Sequence, residues 1–165
     1  MKFRLVLLTC VFSMLTACGD KAPDAAQTMP QEEAVASVEK STLPAVLPRT
    51  ASAAGARVFF IAPEDGASVT NPISIEFGIE GMNVVKAGTE QAHSGHHHLL
   101  IDTGLPNLEL PIPADAQHVH FGDGSTATEI TLPPGQHTLQ MLLGDHQHIP
   151  HNPPLVSEVI TITVE

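Results

Sequence analysis

Tryptophan and tyrosine are absent from this 165-residue chain, and its aromatic side chains are six phenylalanines. Its two cysteines, Cys10 and Cys18, both fall at the N-terminus. The remainder therefore has no thiol for a disulfide or a thiolate–metal bond. Cations are scarce: seven Lys and Arg stand against eighteen Asp and Glu, for a formal charge of −11. A nucleic-acid partner needs a basic face, so this balance disfavours one. No Gly-x-Ser-x-Gly motif or phosphate loop is present, and Ser94 beside His93 is not a nucleophile signature. Histidine is what the chain does have. All ten lie between His93 and His151, grouped as His93, His96–His98, then His118 and His120, then His137, then His146, His148 and His151. Imidazole is the commonest metal-binding side chain and titrates near neutral pH.

The N-terminus reads as a processing signal. Lys2 and Arg4 precede the apolar run Leu5–Leu15, which is too short to span a bilayer as a mature helix. Leu15-Thr16-Ala17-Cys18 resembles the lipobox of bacterial lipoproteins, which implies cleavage before Cys18 and a diacylglycerol on its thiol. Residues 1–17 would be lost and Cys18 would anchor the protein to a membrane. Removing Lys2 and Arg4 takes the formal charge from −11 to −13. Gly19, where an inner-membrane retention signal would have Asp, favours the outer membrane by resemblance to enterobacterial sorting rules. Residues 18–56 follow as a lipidated Cys and a flexible tether. They are rich in Ala, Pro, Glu, Ser and Thr and too poor in large apolar residues to offset chain entropy.

Residues 57–165 form one domain by length. Strand signals recur at 57–61, 73–79, 82–85, 96–102, 117–121, 128–132, 137–143 and 156–164. The run Ile73–Ile79 alternates with period two, and Pro133-Pro134-Gly135 marks a turn. This spacing, without a convincing helix, implies an all-β, antiparallel sandwich of seven to eight strands. The core expected from the alternation is Phe59, Ile75, Phe77, Leu139, Met141, Leu143, Ile160 and Ile162. The segment Leu132–Leu139 resembles the turn before the penultimate strand of bacterial immunoglobulin-like modules, which implies an immunoglobulin-like form of the sandwich. There a Tyr often makes the corner hydrogen bond, a role that His137 can fill here.

Further motifs resemble the bacterial domain of unknown function numbered 4399. They are Gly95-His96-His97-His98-Leu99-Leu100-Ile101-Asp102, Pro111-Ile112-Pro113, His118-Val119-His120-Phe121-Gly122, Pro134–Gln140, Leu142-Leu143-Gly144-Asp145 and His148-Ile149-Pro150-His151. The resemblance covers about residues 57–165, with Ser125-Thr126 standing where that family usually has a Gln. It implies an envelope location and supplies no activity.

Alternation along strands places His96, His98, Leu100 and Asp102 on one face and His97, Leu99 and Ile101 on the other. His118 and His120 share a face opposite Val119 and Phe121. His146, His148 and His151 fall in a loop opened by Gly144-Asp145. A metal site is built by converging such pairs. The candidate ligands are His96, His98, His118, His120, His148 and His151. Asp102 and Asp145 are candidate acceptors for the ring N–H groups that do not bind metal. Imidazoles without thiolate suit Zn(II), Cu(II), Ni(II) or Fe(II). The competing reading is an interaction module whose histidines form a buried hydrogen-bond network; a third is an envelope metallohydrolase, for which no residue stands out as general base. A lone histidine such as His137 reads as structural.

Overall fold

The computed structural model describes residues 47–165. The expected signal peptide, Cys18 and most of the expected tether lie outside the described residues. Nine strands follow: β1 Arg57–Ala62, β2 Ser68–Val69, β3 Ile73–Glu80, β4 Asn83–Val84, β5 Ser94–Ile101, β6 His118–His120, β7 Ala127–Ile130, β8 Gly135–Gly144 and β9 Ile160–Val164. One sheet has the order β1-β3-β7. The other has the order β2-β9-β8-β5-β4, with β6 also paired to β5. The architecture is an all-β, two-sheet sandwich. Most pairs are antiparallel, whereas the two-residue strands β2 and β4 run parallel to β9 and β5. Strand β2 is too short to carry a period, so it has no signature in the sequence.

The core lies between the sheets. Ile73, Ile75 and Phe77 of β3 meet Leu99 and Ile101 of β5, Leu139, Met141 and Leu143 of β8, and Ile160, Ile162 and Val164 of β9. Each fully buried aliphatic side chain contributes roughly 1.5–3 kcal/mol relative to exposure. Seven of the eight expected core residues are buried here, and Phe59 is the exception. On β1 it is Val58 that is buried at 4 % exposure, with Phe60 packed against the same cluster. Phe59 points the other way and lies over Gly78, directly opposite it in the ladder. A Cβ on Gly78 would come within 2.3 Å of the Phe59 ring. In a run of Val-Phe-Phe-Ile both phases of the alternation are apolar, so pattern alone does not choose the buried one.

Strand β5 is buried along its whole length, on both faces. Its inner face carries Leu99 and Ile101 into the main core. On its outer face Leu100 joins Leu142 and Ile112 in a second, smaller cluster, flanked by Leu108 and Val156. Two excursions of the chain, around Leu108–Ile112 and Asp145–Pro150, cover that outer face and meet where the Ile112 N–H bonds to the His148 carbonyl at 2.8 Å. The outer histidines of β5 lie beneath this cover.

The described chain also begins before β1. Ala51 bridges Asn152, and the Asn152 N–H bonds to the Thr50 carbonyl at 2.9 Å. Composition assigns residues 49–53 to the tether, because the contacts holding them are polar and leave no hydropathy signal.

Candidate metal centre

Strand register brings the first three imidazoles together. Antiparallel pairing of β5 with β6 sets His98 opposite His120, on the outer face. His96 is on the same face two residues away. The ring centroids of His96 lie 4.8 Å from His98 and 4.9 Å from His120, and His98 and His120 are 5.0 Å apart. One ligand atom from each of these three histidines falls within 4.8 Å of the others, and the group could hold a metal ion.

His148 completes the ring from the loop after β8. Its ring centroid is 4.9 Å from His96, 4.8 Å from His120 and 6.0 Å from His98. The backbone there is left-handed, with φ of 65°. That conformation is uncommon outside glycine. Asp145 holds it: its Oδ1 accepts the N–H groups of Gln147 at 2.8 Å and Ile149 at 3.0 Å. The His148 N–H in turn bonds to the Asp145 carbonyl at 2.9 Å. A tetrahedral ion with Zn–N bonds of about 2.0–2.1 Å would keep four imidazole centroids roughly 5 Å apart.

Three of the four ring nitrogens of the cluster's two buried histidines lack a protein partner. His96 is 0 % exposed and His98 1 %. Both ring nitrogens of His96 and Nδ1 of His98 have no hydrogen-bond partner. Buried polar groups are nearly always satisfied, so nitrogens that face one another without partners are free to take a ligand. Burial drives the His96 pKa down to about 4, helped by the neighbouring His148 and His120. Burial also drives His98 down to about 2, with His96, His120 and His148 adding to it. The His120 pKa is lowered by burial and by His148. At neutral pH these three rings are thus uncharged, the form that binds metal. His120 is exposed and His148 half-buried, so the cluster opens to solvent on their side.

Two expected ligands lie elsewhere. His118 pairs across from Leu100, so the antiparallel ladder carries it away from His96, on the far side of the His98–His120 pair. Two residues of strand span roughly 7 Å. The His118 Nδ1 instead bonds to Asp115 at 2.8 Å. His151 lies on the inner side of β5. A Cβ on Gly95 would point towards the core and come within 2.9 Å of His151 Nε2. The His151 Nδ1 bonds to Thr50 at 2.8 Å. The two carboxylates also differ from expectation. Asp102 sits at the other end of β5, where its Oδ2 accepts from His137 Nδ1 at 2.6 Å and its Oδ1 from the Thr138 N–H at 2.8 Å. His137 Nε2 donates to the Pro133 carbonyl at 2.9 Å, so this histidine ties the corner before β8. Its hydrogen bond to Asp102, then that to Pro133, raises its pKa. Asp145 shapes the His148 loop through its backbone N–H groups.

Two glycines give the rings room. A Cβ on Gly122 would lie 2.3 Å from His120 Cε1, and one on Gly144 would lie 2.8 Å from His98 Cε1. Gly122 follows the His-Val-His motif and Gly144 opens the histidine loop, but a glycine reads as a turn until the neighbouring ring is placed. The His120 ring is exposed and free to swing, so Gly122→Ala should leave the metal-free fold intact while displacing that ring. The expected result is an unchanged melting temperature without metal and Zn²⁺ affinity lower by about tenfold or more. Isothermal titration calorimetry measures the second quantity, and equal affinity in both proteins would remove Gly122 from the site.

Fold and site together define an all-β sandwich with a cluster of imidazoles on the outer face of a central strand. The chain matches a family described as a domain of unknown function (DUF4399) over residues 75–165, more than half its length, and it belongs to that family. The matched region takes in β5, β6 and the His148 loop and leaves out β1. No curated protein and no solved structure matches the chain.

Proposed function

We propose that this protein binds a divalent transition metal through His96, His98, His120 and His148, in metal handling or metal-stabilised binding at the cell envelope. The observation that carries the reading is the convergence of four imidazoles whose two buried members have ring nitrogens without partners. A structural hydrogen-bond network would have satisfied those nitrogens. Four imidazole nitrogen donors suit Zn(II), Cu(II) or Ni(II), and the thiol-free domain excludes thiolate ligation. The acidic balance of the chain, −11 overall, attracts cations in general. Exposure of His120 gives an ion a route in and out, as metal handling requires. Metal analysis of protein purified without a nickel column or histidine tag tests the proposal. About one equivalent of a transition metal supports it, and none after incubation with Zn²⁺, Cu²⁺ and Ni²⁺ in turn would end it.

The same proposal places the domain on a membrane facing the periplasm, through a lipidated Cys18. The basis is Leu15-Thr16-Ala17-Cys18 behind an apolar run. Cys18→Ser should abolish labelling by radioactive palmitate and release the protein from membranes or leave an uncleaved precursor. Normal processing and membrane retention of the variant would refute the anchor.

A further inference from the structure

The loop bearing His148 is gripped from outside by the segment that precedes β1. Arg49 Nε donates to the Pro150 carbonyl at 2.9 Å, and its Nη2 donates to the His151 carbonyl. Thr50 Oγ1 donates to Asp145 Oδ2 at 3.1 Å. Its oxygen is then free to accept from His151 Nδ1, 2.8 Å away. Asp145 is 1 % exposed and His151 likewise, so these bonds are shielded from water. The result is a relay: His151 to Thr50, Thr50 to one oxygen of Asp145, and the other oxygen to the Gln147 and Ile149 N–H groups. Those last two bonds hold the left-handed turn at His148.

We propose that Arg49 and Thr50 are positioning residues for the metal centre, fixing His148 through Asp145 and the far end of its loop. The inference rests on the metal reading above. A left-handed non-glycine residue persists only where its surroundings over-determine it. Asp145 supplies that constraint, and Thr50 fixes which way the Asp145 carboxylate turns. Arg49 pins the chain on the other side of His148, at Pro150 and His151. With both ends held, the ring is presented to His96 and His120 before an ion arrives. Without them, binding has to order the loop first, which weakens affinity. Both residues lie outside the matched family region, which starts at residue 75.

The test compares the mature chain with its Thr50→Val, Thr50→Ser, Arg49→Ala and His148→Asn variants. Zn²⁺ affinity is read by calorimetry, and the Cu²⁺-loaded proteins by electron paramagnetic resonance, which reports the nitrogen donors. Loss of an outer-shell partner commonly costs about 10–100-fold in metal affinity. Thr50→Val and Arg49→Ala should each lose affinity within that range. The Cu²⁺ spectrum of Thr50→Val should move towards that of His148→Asn, while Thr50→Ser should restore both readouts. A purely structural strap would shift the melting temperature of the metal-free protein and leave the Cu²⁺ spectrum alone. Wild-type affinity and spectrum in both Thr50→Val and Arg49→Ala would overturn this inference and leave the metal centre standing. Failure of the wild type to bind either ion would overturn the metal reading itself.

Discussion

Zn²⁺ at a hundredfold excess over its Kd should stabilise the metal-free protein by about 2.7 kcal/mol, which for a domain of this size is a rise on the order of 10 °C in melting temperature. The rise comes from ligands that exist only in the folded state: β5, β6 and the β8–β9 connection must all be in place for the four imidazoles to meet. His120→Ala is the informative variant. Its ring is exposed, so truncation leaves no buried cavity and the metal-free protein should melt as the wild type does. Its loss removes a ligand directly and should cost more than the about 10–100-fold typical of an outer-shell partner. His148→Asn does the same from the loop, and Asn tolerates the left-handed backbone found there. His118→Ala should keep the full rise, because that ring faces Asp115. A wild-type protein that gains nothing from Zn²⁺, Cu²⁺ or Ni²⁺ would contradict the assignment. A gain that persists in His120→Ala would put the ion somewhere else.

Acid should begin to destabilise the metal-free protein well above the pH at which carboxylates titrate. His96, His97 and His98 are buried, and burial lowers the pKa of His96 and His97 to about 4 and that of His98 to about 2. In the unfolded chain each titrates near the ordinary value of about 6.5. Below that value the unfolded state binds protons that the folded state refuses, so stability falls as pH falls. The loss per group is about 1.4 kcal/mol per pH unit, starting near 6.5. It runs down to about 4 for His96 and His97 and further for His98. Three such groups together cost several kcal/mol, a large share of the whole stability of a small domain. Circular dichroism between pH 7 and 3.5 should therefore show cooperative unfolding, with a midpoint at about pH 4–6. His97→Leu separates this effect from metal binding. Its ring lies on the inner face of β5, 5.1 Å from Phe77, with neither nitrogen hydrogen-bonded. Leucine should lower the midpoint and leave metal affinity intact. Stability that stays level from pH 7 to 4.5 would contradict the burial of these three rings. The same depressed values mean that protons compete less for His96 and His98 than for free imidazole.

Much of the fold follows from local pattern. Period-two alternation at Ile73–Ile79 and in His137–Leu143 marks strands and their buried faces, because an antiparallel pair with one apolar face has one workable phase. The His-x-His spacing of His96/His98 and of His118/His120 likewise assigns each pair to a face without any tertiary information. Pattern does less where both phases are apolar, as in Val58–Ile61, and nothing where an element is two residues long, as in β2.

By itself, then, the sequence determined the all-β class, the lack of cysteine in residues 57–165, the histidine-bearing segments and the face to which each β5 and β6 imidazole belongs. Tertiary structure decided which of those imidazoles meet. Register against β5 is a non-local choice, and it put His120 beside His98 while carrying His118 down the strand. The path of the β8–β9 connection put His148 on the outer face of β5 and His151 on the inner one, only three residues later. Thr50 and Arg49 joined the loop through polar bonds spanning about a hundred residues, to which neither periodicity nor composition responds. Side-chain periodicity is set within a strand by the pleat, whereas convergence at a site depends on pairing between strands and on loop paths, which exist only once the sandwich has closed.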